Sequence, residues 1–122
     1  MKTLLPILAI TLLMACNTTD ERLPLLYGDW RGIEWSDGNN LNEEKASKVT
    51  FSFREDLSYS ANFGNQEESG DFVFRDAMLY TTASGDRKVE KVVGVSSLDD
   101  EQLVLDMNRS GNPEKLVLVR VE

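Results

Sequence analysis

Catalysis needs side chains that can give or take a proton or an electron pair, and this sequence holds few in a usable pattern. It has no histidine and a single cysteine, Cys16. Without histidine the commonest general base is missing, and with it the Ser-His-Asp and Cys-His constellations and the usual zinc ligand. Carboxylates are plentiful. Paired-acid catalysis, however, needs two of them facing a substrate at a set separation, and no spacing singles out such a pair. Asp37-Gly38-Asn39-Asn40 offers oxygen donors, but the later ligands of a calcium loop do not follow it. It reads as a turn. The chain is therefore read as a non-enzyme, with no catalytic residue, metal site or cofactor expected.

That leaves the Cys16 thiol. Lys2 precedes an apolar run over residues 4–13, broken only by Pro6 and Thr11, and Ala15 stands just before the cysteine. The run is about ten residues, where a helix crossing a bilayer needs roughly twenty, so residues 1–15 read as a cleaved export signal. Its tail, Leu13-Met14-Ala15-Cys16, resembles the lipobox of bacterial lipoproteins. In that family the cysteine thiol receives a diacylglycerol, the signal is cut before it, and the new amine is acylated. Cys16 has no second cysteine to pair with. Two or more acyl chains of the palmitate kind hold a protein to a membrane where one does so only marginally. The resemblance implies lipidation of Cys16, a membrane as partner through that anchor, and a place in the cell envelope. Asn17, where aspartate would mark inner-membrane retention, points to the outer membrane.

The 122-residue chain carries 13 basic and 21 acidic side chains, and Lys2 leaves with the signal. What remains is enough for one domain and too little for two. Its acidic balance argues against nucleic acid, whose binding depends on neutralising phosphates, and against a basic membrane-binding patch. Residues 16–26 read as the lipidated cysteine and a polar tether, and residues 27–122 as the domain.

Within that domain, apolar residues recur with period two in short runs, the mark of half-buried strands. Eight strands are expected, at 28–35, 48–54, 58–63, 69–75, 78–83, 88–98, 102–107 and 115–121. The loop before the second has room for one turn of helix. Turn clusters separate the rest, among them Gly64-Asn65-Gln66-Glu67-Glu68 and Asp99-Asp100-Glu101. Connections this short join neighbours antiparallel. The expected fold is all-β: a small eight-stranded antiparallel up-and-down barrel, with a two-sheet sandwich as the alternative.

Gly28-Asp29-Trp30 opens the first strand, and Arg120 lies in the last. Between them run Val49-Thr50-Phe51, Ser69-Gly70-Asp71-Phe72 and Met78-Leu79-Tyr80. Across residues 27–121 this pattern resembles the lipocalin-like barrels, including those of bacterial lipoproteins. The resemblance implies that Gly28, Trp30 and Arg120 close one end of the barrel, the guanidinium packing across the indole.

Two functions from different classes follow. In the first, Phe51, Phe53, Tyr59, Phe63, Phe72, Phe74 and Tyr80 face inward and line a site for a small apolar ligand. An interior of eight strands is just filled by side chains or holds one small ligand, and the sequence leaves both open. In the second, the barrel is filled and works through its surface on another envelope protein, as an inhibitor or assembly subunit. Glu67-Glu68 and Asp99-Asp100-Glu101 are then the patches to consider.

Overall fold

The structure, a computed structural model, describes residues 19–85, 89–109 and 111–121. The expected export signal and Cys16 lie outside the described residues. Helix α1 (Leu23–Leu26) leads into strand β1 (Gly28–Asp37). A short return strand β2 (Asn40–Leu41) and helix α2 (Glu43–Ser47) follow. The chain then climbs and descends through β3 (Thr50–Phe53), β4 (Ser58–Asn62), β5 (Glu67–Arg75) and β6 (Met78–Ala83). It ends with β7 (Glu90–Leu98), β8 (Gln102–Arg109) and β9 (Asn112–Arg120).

Successive strands pair antiparallel, and β1 also pairs with β9, from Trp30 opposite Arg120 to Asp37 opposite Glu114. That pairing closes eight strands into a barrel, with β2 as an added hairpin on β1. Closure removes the exposed sheet edge that a two-sheet sandwich would keep.

Alternation along the strands turns one side chain in two inward, and two irregularities adjust its phase. Strand β1 shifts register between Gly32 and Glu34, so that both Trp30 and Trp35 are buried while Ile33 is only half-buried. Strand β7 shifts between Val95 and Ser97, which brings Leu98 back inside. Helix α2 starts at Asn42, whose side chain accepts from the Lys45 amide, a standard N-cap. It seats Ala46 against β1 at Gly32, where any Cβ would run into the Ala46 carbonyl.

Two segments differ from expectation. The segment read as a tether is, from Asp20 onward, packed on the barrel. The Asp20 amide donates to the Phe74 carbonyl at 3.0 Å, its carboxylate accepts from the Ala77 amide at 2.9 Å, and Leu26 is fully buried. Second, Glu67-Glu68 is strand and not turn. Gly64, with φ +99°, and the Phe63 amide donating to the Gln66 carbonyl complete that turn in fewer residues, so Glu67 already pairs with Asn62.

Candidate functional site at the mouth of the barrel

Following the strands from β1 upward gives the barrel two unlike ends. At the lower end Trp30 is fully buried, and its indole N–H donates to the Leu26 carbonyl at 2.9 Å. The Arg120 guanidinium stands 4.3 Å from the Trp30 ring centre. It donates to the carbonyls of Leu25, Tyr27 and Asp100, so one side chain ties the helix, the start of β1 and the β7–β8 turn together. Gly28 has φ +126°, and a Cβ there would meet Arg120 Nη1 at 2.5 Å. Glycine is needed for both reasons. This end is closed.

Above it the inward rings pack on one another. Phe51 and Phe53 stack at 5.5 Å, Phe72 meets Phe53 edge-on at 5.1 Å, and Phe63 meets Phe51 edge-on at 5.8 Å. Together with Tyr59, Phe74 and the leucines of β6, β8 and β9 they form one continuous core, with Phe63 half-buried at its upper margin. Tyr80 is not among them. On β6 it is Leu79, Thr81 and Ala83 that point inward, and Tyr80 lies on the outer wall beneath the Arg75 guanidinium, 4.8 Å away. The sequence grouping failed there by one residue of register, which in a strand is a change of face.

The upper end is polar. Glu68 points into the barrel from β5, accepting from the Tyr59 hydroxyl at 2.7 Å and from Lys91 Nζ at 2.9 Å. Its side chain is 11% exposed and that of Lys91 46%. The Lys91 ammonium also stands 5.2 Å from the Phe63 ring centre. Burial, reinforced by the carboxylate bonded to it, pushes the Tyr59 hydroxyl well above the ordinary tyrosine range, so it stays a donor. Thr81, buried on β6, faces the same space.

A second set repeats the arrangement on β1 and β9. Glu114 accepts from the Trp35 indole N–H at 2.6 Å, and Lys45 of α2 stands 4.0 Å from the Trp35 ring centre. The mouth thus holds two carboxylates, each fixed by an aromatic donor, and two ammonium groups, each over a ring. Such groups can bind and orient a charged or polar molecule. They present no activated nucleophile. Among the described residues no group of three or more acidic or thiol side chains is placed to hold a metal.

Trp35, Lys91 and Glu114 were not singled out in the sequence, and Glu68 was named there only as part of an acidic surface patch. Period-two alternation counted inward from Phe72 would have found Glu68, had 64–68 not been given wholly to a turn. Two open depressions, of about 370 and 300 Å³, lie on the outer wall. Hydroxyl and amide side chains of β3, β4 and β5 line the first, and Val73, Arg75 and Tyr80 help to line the second.

No family model matches this sequence, and no curated protein is similar enough to count as a relative. Solved structures do match. A lipocalin-like protein from Bacteroides uniformis superposes with a TM-score of 0.64 at 15% identity, over 80% of this chain and 99% of that one. An uncharacterized protein from Bacteroides eggerthii does so with a TM-score of 0.63 at 16% identity, over 79% and 99%. At such identity the likeness is one of fold, and the fold is a closed, eight-stranded, lipocalin-like barrel.

Proposed function

We propose that the mature protein is a lipid-anchored, non-catalytic module of the cell envelope that binds a small amphipathic ligand at the mouth of its barrel. The observation that carries this is the Glu68–Lys91 pair turned inward at the upper end of the barrel. Setting two charges partly out of water is expensive, and an apolar filling would serve stability as well or better. A charge pair kept there is in place to meet a polar group. The rings below are packed on one another, so a ligand would be small and would sit above them. Its apolar part would lie against Phe63, and its polar end would meet Lys91 and Glu68.

Anchoring rests on the lipobox resemblance at Leu13-Met14-Ala15-Cys16, and the outer membrane on Asn17. The non-catalytic reading rests on a sequence without histidine whose single thiol is the anchor position.

Native mass spectrometry of the protein released from its own envelope tests the ligand. A reproducible added mass is expected, absent from Lys91→Met and Glu68→Gln variants whose circular dichroism matches the parent. A bare parent would sink the proposal. The outer wall would then become the surface of interest, because Val73 and Val92, 45% and 48% exposed, flank Tyr80 across β5, β6 and β7. An envelope protein would be sought there by cross-linking.

A further inference from the structure

The way the N-terminal segment is fastened sets which end of the barrel faces the membrane. Asp20 is locked to the β5–β6 turn. Its amide donates to Phe74, and its carboxylate accepts from the Ala77 amide and from Arg22 Nε and Nη2 at 3.0 and 2.9 Å. The Arg22 guanidinium also covers the Phe74 ring, 5.4 Å from its centre. From there the chain crosses the closed end to Leu26, buried beneath the barrel and bonded to Trp30, and enters β1. Strands β5 and β6 lie on the opposite side of the barrel from β1 and β9. The segment is therefore a strap across the whole closed end, pinned on both sides.

Cys16 is four residues before the pin. Four residues of fully extended chain reach about 14 Å. Strand β5 has nine residues, which at the usual rise and tilt sets the mouth roughly 20 Å above the closed end. A lipid on Cys16 cannot reach the mouth.

We infer that the closed end, with its strap, lies against the bilayer and that the mouth opens away from it, into the aqueous phase. This rests on the anchoring reading above. It also bears on the ligand: a molecule entering this mouth comes from solution and is not drawn sideways out of the lipid.

Acylation blocks Cys16, so one new cysteine gives a unique labelling point. Glu55→Cys marks the closed end and Gln66→Cys the mouth, both at exposed positions. The lipidated full-length protein, reconstituted into phosphatidylcholine vesicles with spin-labelled headgroups, is read by short-range quenching of a fluorophore at each site. Quenching several-fold stronger at 55 than at 66 is expected. Equal quenching, or stronger quenching at 66, overturns the orientation. Asp20→Ala removes the carboxylate's bonds to Ala77 and Arg22 and leaves the pin only its backbone bond to Phe74. The leash is then freer to lengthen toward Leu26, and the difference between the two sites should shrink. An undiminished difference would show that the pin does not set the orientation. The anchoring reading is checked separately: if Cys16→Ser leaves the protein as firmly membrane-bound as before, that reading fails first.

Discussion

At the scale of single residues, a few polar groups do most to tie distant parts of the chain together. Arg120 is the clearest. Removing it leaves the Leu25, Tyr27 and Asp100 carbonyls without their charged donor and uncovers the Trp30 ring. Arg120→Ala is expected to cost about 2–4 kcal/mol in urea unfolding, and lysine, a single point donor, to recover little of it. Tyr59→Phe takes one bond from Glu68 in a nearly dry site and should cost about 1–2 kcal/mol. Asp20 predicts a pH effect. Its hydrogen bonds, chiefly with the Arg22 side chain, hold its carboxyl far below the usual aspartate range. A depressed folded value means that the stabilisation is whole above the unfolded value, near 3.9, and is lost as pH falls further. Urea midpoints measured downward from pH 5 should therefore fall below pH 4, and less steeply in Asp20→Asn.

At the scale of elements, the strands were legible because alternation reports them directly. Val49, Phe51 and Phe53, or Leu103 and Leu105, need no tertiary knowledge to be placed on one face. The strap was not legible. Thr19-Asp20-Glu21-Arg22 looks like solvated linker, and its role depends on a turn more than fifty residues away. Glu68 was hidden for a related reason, since glutamate beside glycine and asparagine looks like turn whichever way it points. Tyr80 was misplaced because an aromatic residue in a strand suggests the core, whereas Arg75 makes it comfortable outside. The buried member of the strap gives the element's own prediction. Leu26→Ala leaves a hole under Trp30 that a pinned strap cannot fill, so a loss of about 2–5 kcal/mol is expected, near the upper part of that range. Hydrogen exchange should show the loss first as opening of the closed end, with the strands around Glu68 still protected.

At the scale of the whole molecule, acidic side chains outnumber the basic ones around the closed end, where Arg22, Arg54, Arg75 and Arg120 also stand. The three turns at the closed end carry Glu55-Asp56, Asp76 and Asp99-Asp100-Glu101, on a chain of formal charge −8. Under the inferred orientation these turns face the lipid headgroups. On an anionic bilayer they are repelled, and only the leash holds them near. The range of that repulsion is the Debye length, about 30 Å at 0.01 M salt and about 8 Å at 0.15 M. The first exceeds the leash of about 14 Å, and the second falls within it. On phosphatidylserine-containing vesicles at low salt the barrel should therefore stand at the limit of its leash, and a fluorophore at position 55 should be weakly quenched. Raising the salt to 0.15 M should let the closed end settle and the quenching rise, whereas on phosphatidylcholine salt should change little. An equal response on both lipids would mean that the acidic turns do not face the membrane. A response confined to the anionic surface, greater at 55 than at 66, would place the acid pole and the anchor at the same end of the molecule.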